Sequence, residues 1–199
     1  MPELNLKLKP ESASSLPIRA IQFGEGNFLR GFLDWMIFRL NKNGLFNGRI
    51  LAVQPTPRGR VMPKLIAQDF LFTTILHGIV DGKEAEECEV VNSIADGVNP
   101  YENAQWARLK QAACSKDVKF VFSNTTEAGI SYVKEDGLGE SAPESFPAKL
   151  TAMLYERFKA FKGTDCACDG GLVIMPCELI EDNGSKLKEI VKQHASDWK

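Results

Sequence analysis

The sequence lacks features that several protein classes require. It has no run of apolar residues long enough to cross a membrane, and its first seventeen residues contain no apolar stretch of the length that a secretory signal needs. The net charge is -2, and lysine and arginine are spread along the chain, so the basic cluster that nucleic-acid binding requires is missing. We therefore expect a cytoplasmic protein with neither a membrane nor a nucleic acid as its partner.

Cysteine and histidine, the usual ligands of zinc, are also scarce. The five cysteines are an odd number in a chain without a secretory signal, which favours reduced thiols over disulfides. Cys166 and Cys168 form a CxC pair, but zinc sites combine such pairs with further cysteines or histidines at close spacing, and only His77 and His194 exist. We predict no metal site, a loop that carries two free thiols, and structural or surface roles for both histidines.

Extended and helical patterns alternate along the chain. Residues 18–24 predict a first strand, and from Asn27 onward the apolar residues recur at helical spacing. Residues 49–55 predict a second strand, and a short helix is expected shortly after it. The Asp81-Gly82 pair between two extended runs predicts an antiparallel hairpin, which is an insertion in the alternating pattern.

The alternation then resumes. The further predictions are a helix at 100–114, a strand at 118–124, a loop at 135–147, a helix at 148–161, a buried strand at 170–178 and a last helix from Asn183. This order argues for an α/β fold, a doubly wound and mostly parallel sheet with helices on both faces and right-handed crossovers. We expect a polar leader at 1–17 and one domain at 18–199.

Ligands bind such a sheet beyond the carboxyl ends of its strands, and the segment GEGNFLR follows the first strand. Gly24 and Gly26 would let the backbone turn tightly and approach a diphosphate, while the first N–H groups of the next helix, from Asn27, point at the anion. Arg30 would add positive charge only if it folds back. Because Leu29 replaces the third glycine of a GxGxxG pattern, a plain strand-to-helix corner is the alternative.

The second strand ends in Gln54, where NAD-binding domains usually carry an acid that accepts hydrogen bonds from the ribose. Arg58 and Arg60 follow shortly after, and arginine at this place tolerates a 2′-phosphate. The sequence therefore leaves the choice between NAD and NADP open. The alternative is that both arginines form only a solvated surface.

Three segments together, IQFGEGNFLRGFLDW, VFSNTTEAGI and PCELIEDNG, resemble the mannitol dehydrogenase family of polyol and sugar-acid dehydrogenases. The first motif of that family, G-x-G-x-F-x-R, is met by Gly24, Gly26, Phe28 and Arg30. The resemblance implies an NAD-dependent Rossmann domain. In the family a helical domain follows, with the catalytic pattern K-x4-N-x2-H, which this sequence lacks. We therefore expect an isolated chain without catalytic residues of its own and a missing C-terminal helical domain as its partner.

The resemblance also implies the site residues. Cofactor contacts are expected from Phe23, Gly24, Gly26, Asn27, Phe28, Arg30, Gln54, Arg58, Asn124, Thr125 and Glu127. Glu127, Cys177 and Glu178 are expected near the substrate. The alternative for these loops is helix capping, by Thr126 in one and by Asn183 and Gly184 in the other.

Leu179 stands where polyol members of the family carry an asparagine near the substrate, which favours the sugar-acid branch. The resemblance then implies hydride transfer between NAD and a sugar acid, with interconversion of a keto-hexuronate and an aldonate, tagaturonate and altronate. A mannonate dehydrogenase or a polyol dehydrogenase of the mannitol type is the related alternative. An S-adenosylmethionine-dependent methyltransferase and a scaffold without catalysis are the alternatives from other classes.

Overall fold

The computed structural model describes residues 4–9, 14–136, 138–164 and 170–198, and of Glu127 only the backbone. The predicted loop with Cys166 and Cys168 lies outside the described residues. Among the helices of the described part, none has the length and apolar character needed to cross a membrane.

Seven strands and six helices are described. The strands are β1 Ile18–Phe23, β2 Arg49–Val53, β3 Phe72–Val80, β4 Lys83–Val91, β5 Ile94–Val98, β6 Phe120–Ser123 and β7 Val173–Pro176. The helices are α1 Asn27–Leu29, α2 Trp35–Lys42, α3 Met62–Ala67, α4 Asn103–Ala113, α5 Phe146–Phe161 and α6 Asn183–Asp197. A π-helical segment, Arg30–Asp34, joins α1 to α2 into one continuous helix over 27–42.

Five of the strands form a parallel sheet in the order β5-β2-β1-β6-β7. The chain moves outward from β1 to β2 and β5, then returns across β1 to β6 and β7. The direction of winding therefore reverses between β1 and β6, which is where doubly wound sheets bind their ligands. The expected α/β, doubly wound, mostly parallel sheet is confirmed.

The inserted hairpin is confirmed as well. β3 and β4 pair antiparallel along their whole length, and both turn residues, Asp81 at φ 50° and Gly82 at φ 75°, have the left-handed conformation of a tight hairpin. At the base of the hairpin, Glu89 accepts hydrogen bonds from Trp35 Nε1 at 2.7 Å and Arg39 Nη1 at 3.0 Å. These bonds fasten the hairpin to the helix over 27–42.

Successive residues of a strand point to opposite sides, and the central strand β1 is packed against apolar residues on both faces of the sheet. Ile21 and Phe23 of β1 belong to the large core under α4, α5 and α6, in which Trp106 and Leu150 are fully buried. Ala20 of β1 faces a smaller cluster on the other side of the sheet. The two cores fix the sheet between its helices and leave the carboxyl ends of the strands at the rim.

Two sequence predictions need correction. The strand predicted as buried at 170–178 is only four residues long and lies at the sheet edge. Val173 and Met175 point to the same side and are 52% and 38% exposed, so one face of this strand is not buried in the chain. β5 was not predicted as a separate strand. Residues 94–98 include an aspartate and a glycine, and only their parallel pairing with β2 makes them a strand.

Candidate functional site

The turn after β1 is shaped by Gly24. Its φ is +116°, and a Cβ atom there would lie 2.8 Å from the backbone oxygen of Asn124, so only glycine fits. The Gly24 N–H donates to the carbonyl of Val53 at 2.9 Å, and the Asn124 N–H donates to the carbonyl of Phe23 at 3.0 Å. The turn is therefore fixed to both neighbouring strands. We call residues 23–30 the glycine loop.

Gly26 differs from Gly24, because neither its backbone conformation nor its neighbours in the described chain require a glycine. A Cβ atom there would meet no atom within 4 Å, and its backbone, at φ -69° and ψ 171°, suits any residue. Gly26 is the N-cap of the helix over 27–42, and no side chain caps that end. The helix N-terminus thus has positive polarity, no capping side chain, and open space beside Gly26, which fits the diphosphate of a dinucleotide.

Arg30 folds back onto the glycine loop. Its Nη2 donates to Asn27 Oδ1 at 2.6 Å, and its Nη1 donates to the backbone carbonyl of Glu25. The contribution predicted for Arg30 depended on this conformation. The structure thus adds a guanidinium charge to the helix N-terminus, and both favour an anion.

A buried polar cluster that the sequence analysis missed lies below the glycine loop. Gln22 Nε2 donates to the carbonyl of Gly24 at 3.0 Å and to Asp34 Oδ2 at 3.3 Å. Burial raises the pKa of Asp34 to about 7, and it also raises the pKa of Glu25 to about 7. The one signal in the sequence was Gln22 among the apolar residues at the end of the first strand. This cluster holds the turn from beneath.

A cavity of about 310 Å³ opens beside the glycine loop, at the lower end of the range for ligand pockets. It lies among the carboxyl ends of β1, β2 and β6 and the N-terminus of α5. Its lining includes Phe23, Gln54, Thr56, Thr125, Ser131, Glu144, Ser145 and Lys149. The structure therefore brings three of the predicted cofactor residues, Phe23, Gln54 and Thr125, to one cavity.

The loops after β6 and β7 interlock through hydrogen bonds. The buried Glu178 accepts from Ser123 Oγ at 3.0 Å, from Thr125 N at 3.0 Å and from Thr125 Oγ1 at 3.1 Å. Asn124 Nδ2 donates to the carbonyl of Cys177 at 2.7 Å. We call these five residues the β6–β7 clasp. Four of them are predicted site residues, and the carboxylate of Glu178 is occupied by the clasp itself.

Capping does not explain the polar residues of these loops. Thr126 precedes the short 3₁₀ turn Glu127–Gly129, and its side chain makes no capping bond. Asp182 is the N-cap of α6, while Asn183 Nδ2 donates to the carbonyls of Pro176 and Glu178, each at 2.9 Å. The side chain of Asn183 thus supports the clasp from the helix side.

The remaining predicted residues lie around this centre. Phe28 is 49% exposed on the helix over 27–42, and Arg58 is exposed on the loop after β2, outside the described lining of the cavity. Burial raises the pKa of the Cys177 thiol. His77 is exposed in the hairpin, and His194 is buried between Tyr132 and Trp198. Neither histidine lies at the rim of the parallel sheet.

Comparisons with known proteins agree with this geometry. Residues 18–199 match the family model described as the mannitol dehydrogenase Rossmann domain. The altronate oxidoreductase of Halalkalibacterium halodurans is 52% identical over 186 residues, which are 94% of this chain and 35% of that protein. The altronate oxidoreductase of Bacillus subtilis is 44% identical over 183 residues, 92% of this chain and 37% of that protein. The chain thus spans about a third of the length of these relatives.

Solved structures show the same fold. The Pseudomonas fluorescens mannitol 2-dehydrogenase, a ternary complex with NAD and D-mannitol, superposes with a TM-score of 0.78 at 19% identity, over 100% of this chain and 43% of that one. A D-sorbitol dehydrogenase gives a TM-score of 0.73 at 18% identity, over 100% of this chain and 43% of that one. With the strand order and the family match together, the chain belongs to the mannitol dehydrogenase family, as a representative of its Rossmann domain.

Proposed function

We propose that this chain is the NAD-binding domain of an oxidoreductase that interconverts tagaturonate, a keto-hexuronate, and altronate, an aldonate. The observation that carries the proposal is the uncapped helix N-terminus at Gly26, which faces open space beside a rim cavity. The altronate oxidoreductases at 52% and 44% identity supply the substrate class. Family membership favours the oxidoreductase over a methyltransferase.

NAD, when bound, supplies the carbon that accepts or delivers the hydride. The residues of this chain bind and orient it. The N–H groups of α1 and the guanidinium of Arg30 hold the diphosphate, and the part of the cavity bordered by Phe23 and Gln54 takes the adenosine. Phe28, Asn124 and Arg58 complete the proposed cofactor contacts, with Glu127 near the nicotinamide.

The β6–β7 clasp positions the rim on the nicotinamide side. Its carboxylate, Glu178, fixes Thr125 through two hydrogen bonds, so the loop after β6 has one defined course. Cys177 and Glu127 are the proposed neighbours of the substrate. Hydride transfer also needs a group that moves a proton at the substrate oxygen. We propose that this group lies in a helical catalytic domain outside this chain, with residues 18–199 as the dinucleotide-binding domain and 1–17 as a polar leader.

We also propose a cytoplasmic location. The three cysteines in the described part of the chain, Cys88, Cys114 and Cys177, are free thiols. Reduced thiols are typical of the cytoplasm.

The test is titration of the 199-residue chain with NADH, followed by nucleotide fluorescence and by the shift of thermal unfolding. We expect saturable binding by the wild type. Gly26→Val places methyl groups in the space proposed for the diphosphate, so its NADH affinity should fall by about tenfold or more, with a small change in stability. Gly139→Ala, at a glycine that is equally open, is the control and should bind as the wild type does.

Two results would contradict the proposal. One is a folded wild-type chain that binds S-adenosylmethionine but not NADH. The other is reduction of tagaturonate by this chain alone, because that would place the proton-transferring group within it.

A further inference from the structure

At the end of β2 the cavity is lined by Gln54, whose NH₂ group already donates a hydrogen bond within its own loop. Gln54 is 5% exposed, and its Nε2 donates to the carbonyl of Thr56 at 2.7 Å. Gly59 packs so closely that a Cβ atom there would lie 2.5 Å from Gln54 Cδ. The NH₂ group of Gln54 therefore closes its own loop, and as a neutral side chain Gln54 does not supply the negative charge of the acid that binds the adenosine ribose in many NAD-binding domains.

The carboxylate of Glu144 belongs to the same cavity as the end of β2. Glu144 lines the cavity, just before the N-terminus of α5. Burial, and then the nearby charge of Glu144, raise the pKa of Tyr101. The hydroxyl of Tyr101 in turn donates to the carbonyl of Pro55 at 2.8 Å, one residue beyond Gln54. Glu144 is thus distant from the end of β2 in sequence and close to it in space.

The backbone of Glu144 is held on both sides. Its N–H donates to Glu135 Oε2 at 2.5 Å, and its carbonyl accepts from the ammonium of Lys149 at 2.6 Å. Lys149 is 3% exposed, and its ammonium also lies 3.4 Å from the hydroxyl of Tyr101. The side chain of Glu144 is exposed, so its carboxylate is accessible to a ligand while its backbone is held in place.

We propose that Glu144 is the specificity-determining residue for the adenosine end of the cofactor: its carboxylate accepts hydrogen bonds from the adenosine ribose hydroxyls and repels a 2′-phosphate. The inference rests on the proposed function and deepens it, since it selects NAD over NADP. It assigns to the start of α5 the task that the end of β2 performs in many Rossmann domains.

The basic groups nearby do not reverse this preference. The ammonium of Lys149 is buried below the backbone of Glu144 and is directed to a carbonyl, and a second carboxylate, Glu135, lies on the same side. Arg58 and Arg60 are exposed, and the described lining of the cavity does not include them. Lys149 also lines the cavity, but its ammonium is buried and donates to the carbonyl of Glu144. The exposed charge that a 2′-phosphate would meet at this wall is therefore the carboxylate of Glu144, and like charges repel.

The experiment compares the dissociation constants of NADH and NADPH for the 199-residue chain and its variants at pH 7.5. We expect the wild type to bind NADH about tenfold or more tightly than NADPH, because the carboxylate of Glu144 repels the 2′-phosphate of NADPH. Glu144→Gln should bring the two constants within about threefold of each other, and Glu144→Lys should favour NADPH. Glu140→Gln, at an exposed carboxylate outside the described lining, is the control and should keep the wild-type ratio.

An unchanged ratio in Glu144→Gln would overturn the inference and leave the proposed function intact, provided that the wild type binds NADH. An equal loss of both affinities would also overturn it, because that result would place Glu144 against a group that the two nucleotides share. Failure of the wild type to bind either nucleotide would overturn the proposed function together with this inference. Thermal unfolding of each variant checks that the exposed substitution has not disturbed the fold.

Discussion

The glycine loop and the β6–β7 clasp lie side by side at the rim of the sheet, yet they are built in opposite ways. The glycine loop leaves its polar groups facing outward, because no side chain caps the helix that starts after Gly26. The clasp turns its polar groups inward, because Glu178 is 4% exposed and bonds to Ser123 and Thr125. N–H groups that no side chain caps are available to bind an anion, whereas groups that already have a hydrogen-bond partner only fix the conformation of the chain.

This contrast separates binding from positioning. A substitution in the open part of the glycine loop should change cofactor affinity more than stability. A substitution in the clasp should change stability first, and affinity only through the loop that carries Thr125. The following predictions test the contrast, in order of decreasing effect on the free energy of unfolding.

Gly24→Ala should have the largest effect, a loss of about 3 kcal/mol or more, because the new Cβ adds a backbone clash to a positive φ. The Cβ atom would lie 2.8 Å from the carbonyl oxygen of Asn124. Urea unfolding measures the change. Gly44→Ala is the matched control, since Gly44 has φ +67° and open space around it. This variant should lose only the free energy of unfolding that an alanine costs at a positive φ. Equal losses in both variants would show that the contact with Asn124 is unimportant.

Glu178→Ala should lose about 2–3 kcal/mol, because the hydroxyl of Ser123 and the N–H and hydroxyl of Thr125 would lose their buried acceptor. Urea unfolding again provides the measurement, and Glu181→Ala, at an exposed carboxylate in the same loop, is the control. A normal stability with lost NADH binding would contradict the structural role and place the carboxylate of Glu178 at the ligand.

Asp34→Asn should stabilise the chain at pH 8 by on the order of 2 kcal/mol, because the wild type must ionise a buried carboxyl there. The sign follows from the pKa, which burial raises from 3.8 to about 7 in the folded chain. The contribution of Asp34 is most favourable below pH 3.8, and it is lost as the pH rises to about 7. Above that pH its unfavourable effect is constant.

The pH dependence of unfolding between pH 5 and 8 should therefore be weaker in Asp34→Asn than in the wild type. The exposed carboxyl of Asp117 provides the control, and Asp117→Asn should keep the wild-type slope. A variant that is less stable than the wild type at pH 8 would show instead that the ionised carboxylate supports the glycine loop.

Much of the fold could be predicted from local patterns. The hairpin turn at Asp81-Gly82 was predicted because those residues accept the left-handed conformation. A strand was predicted at 118–124 because a continuous apolar run suits a buried sheet, and the structure forms it at Phe120–Ser123. β5 was missed, since its residues have little strand propensity and gain their bonds only from β2. The edge position of β7 was missed as well, because apolar content does not reveal whether a strand has a neighbour on both sides.

The candidate site shows the same division. The motif at Gly24, Gly26 and Arg30 was visible because contacts within one turn depend on residues close together in sequence. Glu144 was not singled out, since nothing in a polar loop indicates which strand end it will face. The buried pair of Gln22 and Asp34 was missed for a related reason: a helix and a strand must pack before the two side chains meet.

By itself the sequence determined the alternation of strands and helices, the hairpin, and a glycine turn suited to a diphosphate, because each depends on backbone preferences and spacing within a few residues. Only the tertiary structure decided that Glu178 closes the clasp and that Glu144 lines the same cavity as the end of β2. Both arrangements join residues that are far apart in sequence, as in the bond between Ser123 and Glu178, which are 55 positions apart. Such pairs are set by how the layers pack, which no local pattern encodes.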